Sequence, residues 1–500
     1  MFSSGRISIG GKSPLTGGIK ESNGGGVVAV KLGRLGHKAI VIEGAPRDDR
    51  KYIVKVTVNG AELLPADNYW GLGVYKTAEI IRQQYGKEVA ISCIGPAGEK
   101  KFLAAGIANT DSEGVPSRYS GRGGLGALMG SKGIKAIIID DSGAKALEPA
   151  RPEEFIKVLQ EYGRILNESP VVEAYKVYGT ASMLQLVNAV GGLPTRNFTT
   201  GKFEGAENIS AERMHDIIVS RNGKTTHACM PGCLIRCSNV YVDEKGAEIV
   251  APLEYETIAL MGSNLDIDDL DTIAKLNYLC NDYGLDTIET GAALGVAMAG
   301  GLIPFGDKNG AINLLHEIGE GTLTGRVLGM GAAIAGKVLG VINIPVVKGQ
   351  AMPAYDPRGI KGIGVTYATS PMGADHTAGA TARAKINHNS REGQAEVSKK
   401  VQYTIPIYDS FGLCMFVLPA LGPFPEVLSK VISTQLGTEF NPESLFKIAE
   451  QTIKWEREFN EKAGFTTLDD RLPEFFTETP NPATNTVFDV SDEELDNIHK

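Results

Sequence analysis

Three of the six cysteines lie within nine residues, in the segment HACMPGCLIRCSN at 227–239. Closely spaced thiols in a chain with so few cysteines favour a metal or cluster site over a disulfide framework. On an unbroken helix Cys229, Cys233 and Cys237 would drift around the circumference, whereas the Pro-Gly pair between them allows a loop that directs the thiols to one point. The segment therefore predicts a thiolate site that still needs a fourth ligand.

The segment DSFGLC at 409–414 offers that fourth thiol, Cys414. Four thiolates suit either zinc or a [4Fe–4S] cluster, and His227 could replace one of them at zinc. Cys93, in a predicted strand, and Cys280, near a predicted helix end, are expected to be ordinary buried thiols. The spacing alone leaves zinc, a cluster and unliganded buried cysteines open.

A second hexapeptide, NDYGLD at 281–286, repeats the pattern of DSFGLC. Both have a polar residue, an aromatic residue and a Gly-Leu pair, which is typical of a glycine that caps the end of a helix. Because one of the two ends in a candidate ligand, the pair indicates two related half-sites.

Two glycine-rich segments, ESNGGG at 21–26 and SRYSGRGGLGALMGSK at 117–132, could hold phosphate groups. Glycines let backbone N–H groups approach an anion, Arg118 and Arg122 add positive charge, and a helix is expected to start at about Ala127. The segments match neither a Rossmann fingerprint nor a P-loop.

A third group of polar residues is EYE at 254–256 and GADHTAG at 373–379. His376 lies among small residues, a setting that suits either a cavity wall or the surface. Glu254 and Glu256 are either solvated or functional.

The composition is that of a globular protein of several domains, with 500 residues, 42% apolar and 22% charged. A net charge of −9 argues against nucleic acid as the main partner. The sequence has no long apolar run and no signal pattern, so we expect a cytoplasmic protein without a membrane span.

Segments rich in Val and Ile at 27–33, 38–44, 52–60, 89–95 and 135–140 predict strands, and 75–86 predicts a helix that Gly86 ends. Helical spacing follows at 152–166, 267–283, 288–300, 310–317, 424–435 and 443–462. We therefore expect an α+β fold in three parts. These are a β-rich base at 1–145, a helical domain at 146–345 with three cysteines and the first turn, and a helical domain at 346–500 with the second turn and the fourth cysteine.

Together with GGKSPLTGGIKESNGGG, AISCIGPAGE, LEYETIALMGSNLDIDDL and AYDPRG, these segments occur in the order and spacing of one known family. The sequence resembles the aldehyde ferredoxin oxidoreductase family of tungsten enzymes over nearly all of 5–480. The resemblance implies a bis-pyranopterin that holds tungsten or molybdenum, one [4Fe–4S] cluster, and Mg²⁺ between the pterin phosphates. It implies oxidation of an aldehyde with water to a carboxylate, with electrons passed to ferredoxin or an iron–sulfur subunit.

The resemblance also implies a role for individual residues. The cluster ligands would be Cys229, Cys233, Cys237 and Cys414. The pterin contacts would be Asn281, Leu285 and Asp286 in the first turn, Asp409, Leu413 and Cys414 in the second, and Arg6, Asn23, Gly25, Arg118, Tyr119 and Gly121 in the base, with Asn23 and Tyr119 at magnesium. Glu256 and His376 would face the metal and handle protons, and Tyr255 would orient one of them.

The sequence departs from the family pattern at several points. Its cysteine spacing is C-x3-C-x3-C instead of C-x2-C-x3-C, and Asn281 replaces an Asp. Lys275 and Tyr278 stand where some family dimers hold an interface iron, so we expect no such metal, although a homodimer remains possible. Met372 and Ala378 flank His376 where basic residues can occur, which leaves the substrate open.

Family members usually begin earlier and extend further, so we expect truncation at both ends, with an unprotected first strand that another chain covers. Three alternative functions remain open at this stage. They are a reductase of an activated acid or aromatic thioester with the same cofactor, a non-catalytic cofactor-binding subunit, and a structural zinc protein.

Overall fold

The computed structural model describes residues 1–500. The N-terminal part contains eight strands and four helices. The strands are β1 (Ile7–Lys12), β2 (Ile19–Gly24), β3 (Tyr52–Thr57), β4 (Gly60–Pro65), β5 (Ala90–Cys93), β6 (Ile107–Asn109), β7 (Arg118–Ser120) and β8 (Ile134–Ile139). The helices are α1 (Val28–Arg34), α2 (Val74–Tyr85), α3 (Pro96–Glu99) and α4 (Leu125–Ser131).

Six of these strands form one sheet in the order β4-β3-β8-β5-β6-β7, in which only β3 and β8 are parallel. Apolar side chains of α1 and α4 cover one face and those of α2 cover the other. Strands β1 and β2 form a separate antiparallel hairpin, and β2 packs against β7. Burial alternates along β2, so that Lys20, Ser22 and Gly24 face inward.

Two of the predicted strands are wrong. Residues 27–33 form helix α1, because Val28 and Leu32 lie one helical turn apart and both pack onto the sheet. Residues 38–44 form no strand, since β3 already has β4 and β8 as its two neighbours and leaves no free edge there. The other three predicted strands are confirmed, and helix α2 ends at Gly86 as expected.

The first strand, β1, pairs with β2 along its whole length and has no strand on its other side. The large sheet has β4 at one edge, and the side chains of β4 are mostly exposed. The expected unprotected first strand and a further chain that covers it stay predictions.

The middle of the chain is mainly helical. Its elements are α5 (Pro152–Asn167), α6 (Pro170–Tyr178), α7 (Met183–Ala189), α8 (Ala211–Ser220), β9 (Lys224–His227), β10 (Ser238–Val242), β11 (Glu248–Val250), α9 (Tyr255–Met261), α10 (Leu270–Tyr283), α11 (Thr287–Ala299), α12 (Lys308–Glu320), α13 (Leu323–Gly329) and α14 (Ala332–Leu339).

The C-terminal part continues in the same way. Its elements are β12 (Val346–Val347), β13 (Gln350–Ala351), α15 (Lys361–Thr369), α16 (Gln394–Gln402), α17 (Ile405–Ser410), α18 (Leu418–Leu421), α19 (Pro425–Leu436), α20 (Pro442–Lys462), α21 (Glu474–Glu478) and α22 (Asp492–Asn497). None of the helices combines the length and the apolar character that a membrane-crossing segment needs.

Two hydrophobic cores hold the helical parts together, and each draws on both of the predicted helical domains. The larger core is centred on α9, α10 and α11 and includes side chains from α15 and α21. The smaller core joins α5 and α6 to the cysteine loop and to α17, α19 and α20. The three-part division of the chain stays a prediction, and the space between the cores and the β-rich base is where the candidate site lies.

Candidate functional site

A cavity of about 290 Å³ lies where the β-rich base, the cysteine loop and helices α9, α11 and α17 meet. All but two of the residues that the sequence predicted for the site line this cavity. They are Arg6, Asn23, Gly25, Arg118, Tyr119, Gly121, Cys229, Cys233, Cys237, Glu256, Asn281, Leu285, Asp286, His376, Asp409 and Cys414. The exceptions are Tyr255 and Leu413, which are buried in the cores behind the wall.

The four cysteines come from two separate segments. Gly232, at φ +72, turns the loop that carries three of them, as the Pro-Gly pair predicted. Gly25 faces this loop, and a Cβ there would lie 3.3 Å from the Cys229 sulfur, so a glycine lets the base approach the thiols. No three His, Cys, Asp or Glu side chains are grouped closely enough to hold a single metal ion.

Arg6 supplies positive charge beside the thiols. Its guanidinium donates to both the side-chain and the backbone oxygen of Asn23. Burial would lower the pKa of Arg6, but the negative charges of Cys414, Cys229 and Asp409 more than offset burial and raise it. Burial raises the pKa of the Cys414 thiol, and Arg6 opposes that rise. The base therefore places beside the cysteine loop a cation that favours thiolates over thiols.

Two arginines present unpaired N–H groups to the cavity. Arg118 is 6% exposed, and neither its Nε nor its Nη2 has a hydrogen-bond partner. Arg122 donates to the carbonyls of Ala374 and Ala351, while its Nε is unpaired and lies 3.6 Å from Asp286 Oδ2. Buried guanidinium groups normally have partners. These donors lie where the sequence predicted that an anion binds.

The two hexapeptides form helix-end turns, as predicted. Gly284, at φ +77, caps α10, and Gly412, at φ +64, follows α17. Asp286 then caps α11, since its carboxylate accepts the N–H groups of Ile288 and Glu289. Asp409 instead accepts from the Asn23 amide at 3.3 Å, and burial raises the pKa of Asp409 to about 8.

Each turn is held to the base by the same backbone pattern, which we call a clamp. In the first clamp, Gly106 N–H donates to the Gly284 carbonyl and Asp286 N–H donates to the Ala104 carbonyl. In the second clamp, Gly5 N–H donates to the Gly412 carbonyl and Cys414 N–H donates to the Ser3 carbonyl. Between these bonds Leu285 pairs with Ala105, and Leu413 pairs with Ser4. The sequence echo thus extends to equivalent backbone contacts.

Glu256 and His376 meet on the opposite wall. Glu256 Oε2 accepts the Ala354 N–H at 2.8 Å, while its unpaired Oε1 lies 3.5 Å from His376 Nε2. His376 begins a short 3₁₀ helix, His376–Ala378, and its Nδ1 is also unpaired. Burial raises the pKa of Glu256, an effect that His376 partly offsets. The pair offers a proton acceptor beside a hydrogen-bond donor.

The Tyr255 hydroxyl makes no direct hydrogen bond to Glu256 or His376. It donates to the carbonyl of Ala354 at 2.6 Å, and the N–H of the same residue binds Glu256. The Tyr255 ring packs on Tyr355, which in turn packs on His376. Tyr255 is therefore linked to Glu256 through the backbone of Ala354.

Two domain models of one known family match this chain. Residues 1–141 match the N-terminal domain of aldehyde ferredoxin oxidoreductase, and residues 157–498 match domains 2 and 3 of the same family. The chain belongs to the aldehyde ferredoxin oxidoreductase family. It is therefore an oxidoreductase of that family, and its mixed architecture agrees with the predicted α+β fold class.

Relatives of this family member include the tungsten-containing aldehyde ferredoxin oxidoreductase of Pyrococcus horikoshii, 34% identical over 96% of this chain and 81% of the relative. The aliphatic sulfonate oxidoreductase WOR-like subunit of Pyrococcus furiosus is 30% identical over 76% of this chain and 64% of the relative. Among solved structures, the active site complex BamBC of benzoyl coenzyme A reductase superimposes with a TM-score of 0.77 at 18% identity. The superposition covers 95% of this chain and 80% of the BamBC chain. At 18% identity it shows a similarity of fold alone.

Sequence reasoning missed an ion network in this family member. Lys20, on the inward face of β2, pairs with Asp375, and both side chains are at most 2% exposed. Arg122 Nη1 lies 3.9 Å from the same carboxylate. Burial would raise the pKa of Asp375, but Lys20 and Arg122 outweigh it and hold that pKa well below its usual range. Asp375 also accepts the Thr377 N–H, so the network fixes the turn that carries His376.

Three expectations from the sequence concern the magnesium site, the interface metal and the homodimer. The hydroxyl of Tyr119 donates to the Asn281 carbonyl and the amide of Asn23 is bonded to Arg6, so both predicted magnesium contacts make bonds within the protein. Lys275 is exposed, and Tyr278 stacks on Tyr75 with ring centroids 5.2 Å apart. The magnesium site, the missing interface metal and the homodimer stay predictions.

Proposed function

We propose that this chain oxidises an aldehyde with water to a carboxylic acid, releasing two electrons and two protons for each aldehyde. The electrons leave one at a time through a [4Fe–4S] cluster to a ferredoxin or a similar iron–sulfur protein. The 34% identical relatives, which are tungsten-containing aldehyde ferredoxin oxidoreductases, support this reaction. The observation that carries it is that the Glu256–His376 pair and four cysteines line the same cavity.

The cysteines fit a cluster. Cys229, Cys233, Cys237 and Cys414 line one cavity, and Arg6 lies among them as a cation. A tetrahedral zinc site would draw four sulfurs to about 3.8 Å from one another, given Zn–S bonds of about 2.3 Å. A cubane spaces its thiolate ligands more widely. Since no three of these side chains are grouped closely enough for a single metal ion, and the family resemblance implies a cluster, we assign the four cysteines to a [4Fe–4S] cluster.

The opposite part of the cavity fits a phosphate-bearing pterin. Arg118 and Arg122 have buried N–H donors without partners, and phosphate oxygens would satisfy them. The two clamps would each hold one pterin of a tungsten or molybdenum bis-pyranopterin, whose bound metal supplies two-electron redox chemistry. We assign Mg²⁺ between the pterin phosphates near Asn23 and Tyr119 on the family resemblance.

Glu256 and His376 would handle protons and charge. His376 Nε2 can donate a hydrogen bond to the aldehyde oxygen, which gains charge as water adds to the carbonyl carbon. Glu256 Oε1 can take the proton from the attacking water, because the pKa of its buried carboxyl is raised. The N–H of Ala354, a residue whose carbonyl is held by Tyr255, keeps Glu256 in place.

Metal analysis of the purified chain tests this proposal. We expect tungsten or molybdenum together with about four irons per chain, and turnover of aldehydes with a small redox dye. Zinc without iron would contradict it and return the cysteines to a structural role. Metal-loaded protein that reduces an aromatic thioester but oxidises no aldehyde would contradict the reaction while leaving the cofactor assignment intact.

A further inference from the structure

A second pocket lies on the outer side of the cysteine loop. It has a volume of about 470 Å³, and its wall includes Lys176, His215, Thr226, Cys233, Leu234 and Arg236. Cys233 also lines the inner cavity. It is the only one of the four candidate cluster ligands that lines both spaces. The wall between the proposed cluster and the protein surface is therefore a single side chain thick at this point.

The loop around Cys233 is fixed by its backbone. The N–H of Arg236 donates to the Cys233 sulfur at 3.3 Å, and Thr226 donates to the Arg236 carbonyl at 2.9 Å. Leu234 N–H donates to Ser3, whose own N–H donates to the Gly232 carbonyl. Because the backbone is held on both sides, the pocket keeps its shape while the Arg236 side chain extends outward.

Arg236 supplies the unpaired charge of this pocket. Its side chain is exposed and makes no ion pair, whereas Lys176 lies 3.5 Å from Glu173 and His215 lies 3.5 Å from Asp216. Its backbone is held at φ +50, a conformation that few side chains other than Asn adopt readily. A free cation thus lies beside the one candidate ligand that lines both the inner cavity and the outer pocket.

We propose that this pocket is the docking site for an acidic, small iron–sulfur electron carrier, and that Arg236 recognises a carboxylate on the carrier. The inference rests on the proposed function, because it needs a cluster behind Cys233. Each aldehyde oxidised releases two electrons, so two carriers dock in turn and each is reduced by one electron. Electron transfer slows steeply with distance, which favours docking where the cluster is nearest the surface.

The negative net charge of the chain explains why one positive group beside Cys233 matters for docking. The chain carries a net charge of −9 and repels an acidic partner at long range. A positive group at the exit point then selects the docked orientation and makes binding depend on salt. Electron carriers form small, transient interfaces, in which one charged group at the rim contributes measurably to the binding free energy.

Four variants of the metal-loaded chain test the proposal. Arg236→Asn removes the charge and suits the left-handed backbone, Arg236→Lys keeps the charge, and Arg236→Glu reverses it. Lys337→Glu is the matched control, since Lys337 is an exposed lysine on α14 that lines neither space. Calorimetry would measure the dissociation constant for an oxidised, acidic [4Fe–4S] ferredoxin at low and high salt, and turnover would be measured with that ferredoxin and with a small dye.

We expect Arg236→Asn to weaken ferredoxin binding about 2- to 5-fold and Arg236→Glu about 10-fold at low salt. Arg236→Lys and Lys337→Glu should stay within about 2-fold of the unmodified chain. Iron content and dye turnover should be unchanged in all four.

Equal binding by Arg236→Glu and Lys337→Glu would overturn the docking site, as would absence of binding by the unmodified chain. Absence of dye turnover in the unmodified chain would count against the proposed function instead, while the calorimetric comparison would still decide whether Arg236 binds the carrier.

Discussion

The buried Lys20–Asp375 pair gives a prediction about stability that does not require bound cofactor. Asparagine at Asp375 keeps the shape of the side chain and can still accept the Thr377 N–H. It removes the charge that faces Lys20, whose only other polar contact is the Met372 sulfur at 4.0 Å. Asp375→Asn therefore leaves a cation in a site where Lys20 is 1% exposed.

The cost follows from the cation that the substitution leaves without a partner. Removing one partner of a buried ion pair typically costs about 3–5 kcal/mol. Asp375→Asn should therefore lower the free energy of unfolding by about 3–5 kcal/mol. In the double variant Lys20→Met with Asp375→Asn no unpaired cation remains, so it should be more stable than Asp375→Asn alone.

Urea unfolding followed by far-UV circular dichroism would measure these free energies, compared between variants with equal m-values. Glu443→Gln is the control, because Glu443 forms an ion pair with Lys447 of 2.7 Å on the open surface, where solvent screens the pair and its removal should leave the stability nearly unchanged. Since the folded pKa of Asp375 is depressed, its contribution is present above about pH 4 and declines as the pH falls further. A cost below about 1 kcal/mol for Asp375→Asn, or a double variant less stable than the single one, would refute the reasoning.

Three further predictions concern the site and its surroundings. Glu256→Gln and His376→Ala should each lower aldehyde turnover by about 10²–10⁴-fold while metal and iron content stay unchanged, and near-normal turnover in both would exclude them from catalysis. Cys414→Ser should lose or convert the cluster whereas Cys93→Ser should not, so identical iron content and spectra in the two variants would contradict the ligand assignment. Burial raises the pKa of Glu289 to about 7, which makes its contribution to stability largest below about pH 4.3 and lost as the pH rises through 7. Between pH 5 and 8 the stability of the unmodified chain should fall more than that of Glu289→Gln, in which Asp409 still titrates, and parallel pH profiles would contradict the assignment.

Features with a local signal were predicted well from the sequence. The turns at Gly284 and Gly412 and the end of α2 at Gly86 follow from glycine's freedom at positive φ, which depends on a few neighbouring residues. The cysteine loop was also predicted from a local signal, because a Pro-Gly pair interrupts a helix.

Features that depend on distant partners were not predicted. Lys20 and Asp375 are separated by more than three hundred residues, and nothing near either one indicates that the other faces it. Residues 27–33 are as rich in Val as a strand, and only the free surface of the sheet makes them a helix. Tyr255 lies next to Glu256 in sequence, yet the two side chains bind the carbonyl and the N–H of Ala354, a residue about a hundred positions away.

The two clamps close at different stages of synthesis. Ser3 and Gly5 are synthesised first, but their partners Gly412 and Cys414 follow some four hundred residues later, so the second clamp can form only when the chain is nearly complete. Leu413 and Cys414 also belong to the smaller core, so that core and the second clamp close together. We therefore expect a large cofactor to enter before this joint closure, and amide exchange at Gly5 and Cys414 reports the closure directly.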